Sequence, residues 1–375
     1  MKAIISNNYG SISNLHLSLD FPRPASIPKK EILVKTECVA LSPGDCRVLS
    51  GACKEMQGPP SFPYIPGGDL CGTVLDLNGH DPEILGYDVG DRVATRFTRN
   101  RDALAEYCTV STVMTGKVPA NLSSSDAAAL ASSATIALSL SKRITPEERV
   151  LVIGAGGGVG SHLLQFLKLK SVKFLAAATH DCERMSKDPF HLDALLDYTN
   201  TDIYEFSNWQ NVGVDEQFDT VVDLSGGSWL HFLDQIKLPE NERVARMIVK
   251  PSSKKGRYLT LVPDVYNFEI HTVWQGMKLF LFQNLFRAFY SRFFRRNRLP
   301  AHTFAMSLDN DLDIMKETLK LASEKKILAC VDDRGPFEFS TDGVQAAFEV
   351  QKSRKVKGKV IVQVSDQTNV NPQSR

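Results

Sequence analysis

At 375 residues, with 43% hydrophobic and 23% charged side chains, the chain has the composition of a folded globular protein long enough for two domains. A formal net charge of +1 removes the electrostatic basis for nucleic acid as a main partner. The seven cysteines (Cys38, Cys46, Cys53, Cys71, Cys108, Cys182 and Cys330) are odd in number and form no CxxC pair. That fits reduced thiols in a cytoplasmic compartment better than a disulfide framework.

In chain order, the N-terminal MKAIISNNYG reads as a strand rather than as a secretory or transit segment. Residues 1–119 continue as short strands broken by proline and glycine, at Ile32–Val34, Gly72–Leu77, Arg92–Thr95 and Tyr107–Val110. A serine-rich helix start with Asp126 near it then leads into an alanine-dense helix over 119–143. From 149 to about 262 strands and helices alternate, with strands at Val150–Ile153, Lys173–Ala178, Ala194–Asp197, Thr220–Asp223 and Arg257–Val262. Alternation of this length predicts a parallel, doubly wound α/β sheet. A polar helix over Leu312–Glu324 follows, then a strand at Ile327–Val331, a second helix (VQAAFEVQKS) and a closing strand at Lys359–Val364.

The most informative stretch is RVLVIGAGGGVGSHLLQFL at 149–167. An apolar β-branched run is followed by five glycines within seven residues, and then by apolar residues at helical spacing. Strand, glycine turn and helix together make a dinucleotide-binding fingerprint, although Gly154-x-x-Gly157-x-x-Gly160 is one residue longer than GxGxxG. Side chains in the turn would keep a pyrophosphate from the backbone N–H groups, and the helix start offers it partial positive charge. Gly154, Gly156, Gly157, Gly158, Val159 and Gly160 are therefore candidate cofactor contacts. Nineteen residues past Gly160 the chain reads Thr179-His180-Asp181, with Arg184 and Lys187 beyond. An uncharged strand end at Thr179 with the cations Arg184 and Lys187 nearby suits a 2′-phosphate and favours NADPH, and His180 joins Thr179 and Arg184 as a candidate cofactor contact. Asp181 is the contrary sign, since an acid there could bond the ribose of NADH.

Pieces along the whole chain form a recognisable order: SPGDCRVLSG, PYIPGGDLCG, GDRV, the AAAL helix, VIGAGGGVGSHLLQF, LLDY, FDTVVDLSGG, GRYLTLV and AFEVQKSRKVKGKVIV. In this order they resemble the medium-chain dehydrogenase/reductase superfamily, and within it the zinc-free quinone oxidoreductase branch with its reticulon-4-interacting-protein-like members. The resemblance implies a GroES-like β-rich domain split around a doubly wound Rossmann domain. The expected bounds are 1–121 and 311–375 for the split domain, and 122–310 for the Rossmann domain with an insertion at 265–300. It also implies that Tyr198 lies near a cofactor phosphate, and Ser225 and Gly226 beneath the ribose–nicotinamide link. Where it places the three catalytic zinc ligands of other members, this chain has Ser42, Gly68 and Ser132, none of them a thiolate or imidazole. No zinc is expected. The family's Asn-Pro-x-Asp appears as Ser42-Pro43-Gly44-Asp45, and its Thr-Ala as Ile136-Ala137 with Thr135 displaced by one. Ser42, Asp45 and Thr135 are the catalytic candidates. No Tyr or His stands where a general acid is needed, which leaves the proton to solvent.

Residues 274–296 stand apart: dense in aromatics, with five basic residues and no acidic one. Trp274, Met277, Leu281, Leu285, Phe289 and Phe293 share one helical face. Two readings follow, a helix packed over the cleft or in a dimer interface, and a peripheral helix lying in a membrane surface. The charges interrupt the run too often for a transmembrane span. The expected activity is NADPH-dependent hydride transfer to a small electrophilic acceptor, a quinone or other activated enone. The alternatives are a trans-2-enoyl-thioester reductase and a non-catalytic NADPH-binding sensor. A cytoplasmic homodimer is the default assembly.

Overall fold

The computed structural model describes residues 1–58, 61–96, 102–187, 189–265, 268–305 and 311–365. The expected boundary at 310 lies outside them. Two compact units emerge, Met1–Ile136 with Asp309–Arg375, and Ala137–Leu308. The first boundary falls inside the helix Ser124–Ser141.

In the first unit, the long strand Glu31–Leu41 is the centre of a seven-stranded sheet. It pairs antiparallel with Asp69–Asp76 on one side, and with Tyr107–Ser111 and Val360–Gln363 elsewhere along its length. Val360 lies opposite Leu41 and Val362 opposite Val39, so the last strand among the described residues completes a sheet begun by the first forty residues. The helix Thr341–Lys352 contributes Val344, Ala347 and Phe348 to the core formed by Ile32, Val34, Leu70 and Val110. This is the split β-rich domain. The stretch expected as a strand at Ile327–Val331 supplies only a bridge from Val331 to Lys359. Leu328 there is exposed, and no ladder forms to offset the ordering cost.

The second unit is built on six strands: β1 (Arg149–Ile153), β2 (Phe174–Thr179), β3 (Ala194–Asp197), β4 (Thr220–Asp223), β5 (Arg257–Thr260) and β6 (Ala301–Phe304). All neighbours pair in parallel, in the order β3-β2-β1-β4-β5-β6. The order reverses between β1 and β4, the switch point at which open α/β sheets bind ligands beyond the strand ends. β1 is buried throughout, as its unbroken apolar run requires. The helix Gly158–Leu169 follows it, and Trp209, Phe218, Trp229, Phe232 and Tyr258 fill the core on the sheet. Lys170 closes the Ser124–Ser141 helix by donating its Nζ to the carbonyls of Ser141 and Ile144, at 2.6 and 2.7 Å.

β6 was not expected from sequence. The N–H of His302 donates to Ser291 Oγ (3.0 Å) and its carbonyl accepts from Arg292 (2.7 Å), so the 265–300 insertion occupies this sheet edge. The His302 imidazole is fully buried between Trp229 and Tyr258, with ring centroids 4.7 and 5.4 Å away. Burial, reinforced by Arg287 and Arg292, pushes its pKa from 6.5 down to about 3. It is neutral when folded and takes up a proton on unfolding below pH 6.5, so stability falls with pH from there until about pH 3. Between about pH 7 and about pH 5 the loss through this group is about 2 kcal/mol. His302→Leu should flatten the urea-derived stability profile by that amount, whatever it does to absolute stability; parallel profiles for the two proteins would contradict the assignment.

Candidate functional site

At the carboxyl end of β1 the chain turns at Gly154, whose φ of +79° lies in the left-handed region. Gly160 permits the helix to approach the turn, because a Cβ there would sit 2.5 Å from the Gly154 carbonyl oxygen. A Cβ on Gly156 would come within 2.8 Å of Thr179 Oγ1. Gly157 differs. A Cβ on it would meet only the Gly154 oxygen, at 3.7 Å, so internal packing does not demand glycine here. Ser161 N–H to Gly157 O, 2.9 Å, opens the helical ladder. The N–H groups of Gly158, Val159 and Gly160 precede that ladder and belong to the unpaired set of a helix start. An open face on Gly157 beside those donors is a cradle shaped for an anion.

Beside the turn, at the end of β2, Thr179 is buried, and its Oγ1 accepts the Asp181 N–H at 3.1 Å. Its hydroxyl shapes the turn. Arg184 donates from Nε to Asp181 Oδ2 (2.6 Å) and from a terminal nitrogen to the Gly156 carbonyl (2.8 Å). The contrary sign, Asp181, is thus neutralised by the cation that favours a phosphate, and both are tied to the glycine turn. Two of the five guanidinium donors are spent in these bonds. His180 Nδ1 lies 3.1 Å from the Tyr198 hydroxyl across β2 and β3, which brings two more of the candidates together. Tyr198 is exposed. Lys187 is paired with Glu183 at 2.9 Å.

Across the switch point, β4 ends in Asp223, a residue not singled out from sequence. Its fully buried carboxylate accepts five bonds. Oδ1 receives Ser225 N–H, Ser225 Oγ and Gly226 N–H at 2.9, 3.0 and 2.8 Å. Oδ2 receives Ser228 N–H at 3.2 Å and the Tyr258 hydroxyl at 2.8 Å. Burial, and the carboxylate beside it, push the Tyr258 phenol well above its ordinary range, so it remains a donor. This knot fixes the loop that carries Ser225 and Gly226. Gly226 has a φ of +84°, and a Cβ on it would lie 2.4 Å from the Pro263 carbonyl oxygen. The signal was present as Asp-x-Ser-Gly, an Asx turn at a strand end.

The catalytic candidates lie in the other unit. Ser42 starts the helix Pro43–Ser50, and both its N–H and its Oγ donate to Asp45 Oδ2, at 2.7 and 2.8 Å. The pair is brought together as a helix start, with Asp45 buried. Thr135 is fully buried on its own helix and donates back to the Ala131 carbonyl at 2.8 Å. Burial, with Asp45 adjacent, raises the Cys46 thiol to about 12, and burial likewise raises Cys71. Both are neutral thiols packed as small apolar groups. Ser42, Gly68 and Ser132 offer no thiolate or imidazole and do not fit a zinc site.

The chain matches the alcohol dehydrogenase GroES-like domain over residues 28–129. It is similar to the 2-methylene-furan-3-one reductase of Solanum lycopersicum, at 29% identity over 60% of this chain and 57% of that protein. It is also similar to the mitochondrial NAD(P)H oxidoreductase RTN4IP1 of Drosophila melanogaster, at 24% identity over 96% of this chain and 86% of the relative. Among solved structures, the Escherichia coli quinone oxidoreductase complexed with NADPH superposes with a TM-score of 0.72. That match covers 97% of this chain and 100% of the other at 18% identity, a likeness of fold.

Proposed function

We propose that the chain is a medium-chain dehydrogenase/reductase akin to the quinone oxidoreductases it resembles, an NADPH-dependent reductase of quinones or other activated enones that acts without zinc. The observation that carries the reading is the glycine turn at the switch point of the 3-2-1-4-5-6 sheet, with an open Gly157 and the Asp181–Arg184 pair beside it. When bound, NADPH supplies a hydride to an electron-poor acceptor carbon. The residues proposed to hold it are Gly154 to Gly160 for the pyrophosphate, Thr179, His180, Arg184 and Tyr198 toward the adenosine end, and Ser225 and Gly226 toward the nicotinamide. Ser42, Asp45 and Thr135 are proposed on the acceptor side, and solvent supplies the proton. The domain bounds 1–121, 122–310 and 311–375 belong to the same proposal.

The deciding experiment is a fluorescence titration with NADPH and NADH, followed by turnover on a panel of quinones and enoyl thioesters. NADPH preference with quinone turnover supports the proposal. Turnover of thioesters alone would move the substrate class to trans-2-enoyl thioesters, and tight binding without turnover would make the protein a sensor. Gly157→Ala separates binding from folding. Its Cβ meets nothing closer than 3.7 Å, so stability should fall by no more than about 1 kcal/mol, the cost of alanine in place of glycine at a helix start, while the Kd for NADPH rises about tenfold. An unchanged Kd would remove Gly157 from the site.

A further inference from the structure

The insertion between β5 and β6 forms an unbroken helical rod from Val273 to Phe294, with two five-residue turns of wider helix at Lys278–Phe282 and Tyr290–Phe294. One side is fastened to its own unit. Arg287 pairs with Asp264, Arg292 donates to His302 O and to Thr303 Oγ1, and Ser291 accepts the His302 N–H. The opposite side carries the apolar residues. Trp274 is 62% exposed, Phe286 64% and Phe293 67%, and Leu281, Leu285, Phe289 and Phe294 are exposed with them. A contiguous apolar face of this size marks an interaction surface.

Charge decides what covers it. No Asp or Glu occurs between Glu269 and Asp309, whereas Lys278, Arg295, Arg296 and Arg298 lie within that span in addition to Arg287 and Arg292, which are held by the unit itself. Beside the basic end of the rod opens a groove of about 670 Å³. Its apolar wall is Leu230 and Leu233, and Arg295 and Arg298 line it together with the Asp234–Lys237 pair. A second copy of the chain would bring the same acid-free segment and leave these cations unanswered. The sheet edge at His302 is already taken, which closes the other obvious route to pairing. We propose that this face docks on an anionic lipid bilayer, with Phe and Trp side chains seated among the acyl chains and the arginines on lipid phosphates. Substrates that partition into bilayers would then reach the protein from the surface on which it rests.

The test is co-sedimentation of the full chain with phosphatidylcholine vesicles containing roughly 30% phosphatidylserine, against vesicles of phosphatidylcholine alone. Binding to the anionic vesicles should weaken at least about tenfold in Phe286→Ser/Phe293→Ser and in Arg295→Glu/Arg296→Glu. Both variants replace exposed side chains, and thermal unfolding and NADPH titration confirm that each is folded. Absence of wild-type binding, or equal binding by wild type and variants, overturns the proposal. So does a wild-type dimer that the phenylalanine variant converts to a monomer without any vesicle binding, an outcome that assigns the face to a second copy.

Discussion

Replacing Asp223 with alanine is expected to lower the free energy of unfolding by about 3–5 kcal/mol. The carboxylate is fully buried and satisfies Ser225, Gly226, Ser228 and Tyr258 together. Alanine takes away every acceptor and leaves the donors in place. The Tyr258 hydroxyl and the Ser228 N–H are buried among Trp229, Phe232 and His302, where an unmade bond costs about 1–3 kcal/mol each. Tyr258→Phe removes one donor of five and should cost only about 1 kcal/mol, because the carboxylate keeps its other partners. In the double variant the two losses should not add, since the tyrosine penalty is already included in Asp223→Ala. Urea unfolding of the four proteins measures all three quantities. Since the same carboxylate holds the Ser225–Gly226 loop, Asp223→Ala should also weaken NADPH binding while Tyr258→Phe leaves it nearly intact. A loss below about 1 kcal/mol in Asp223→Ala would mean that the loop is held by something else.

The features legible in the sequence are those written in contiguous residues. The run Val150–Ile153, the glycines and the helical spacing after them specify strand, turn and helix without help from distant residues. The split of the first unit was legible because the tail returns to a strand pattern, and its partner proved to be Glu31–Leu41. Tertiary relations were harder to read. Ala301–Phe304 is short and weakly patterned, and it becomes a strand because β5 offers it an edge. The helix Pro43–Ser50 hid within a segment that reads as turn chemistry, Ser-Pro-Gly-Asp, which here starts a helix. In 274–296 the period was read from the sequence, but a period reports which residues share a side and not whether that side meets protein or solvent. The arginines and Ser291 bound to Asp264, His302 and Thr303 turned the aromatic side outward. At the candidate site, spacing singles out Thr179, Asp181 and Arg184, but only the fold shows that the acid and the cation neutralise one another.

That neutralisation makes cofactor choice the sharpest test of the site. Arg184→Ala is expected to raise the Kd for NADPH about a hundredfold while leaving NADH binding within a few-fold. Two changes act in the same direction. The variant loses a guanidinium that is anchored at 2.6 Å to Asp181 and at 2.8 Å to Gly156, beside the turn proposed to hold the pyrophosphate. It also releases the Asp181 carboxylate, which becomes an uncompensated anion where a 2′-phosphate would come to rest, yet one free to accept from a ribose 2′-hydroxyl. Asp181→Asn should separate the two. It removes the anion and keeps the cation, so NADPH binding should hold or tighten and the residual affinity for NADH should fall. In Arg184→Ala/Asp181→Asn the electrostatic penalty on the phosphate disappears but its cationic partner is still missing, which predicts NADPH affinity between the wild type and the single Arg184 variant. Titration of the four proteins with both nucleotides reads the whole pattern. Equal losses for NADPH and NADH in Arg184→Ala would show instead that the arginine serves the glycine turn through Gly156 O, and would place the choice of nucleotide elsewhere.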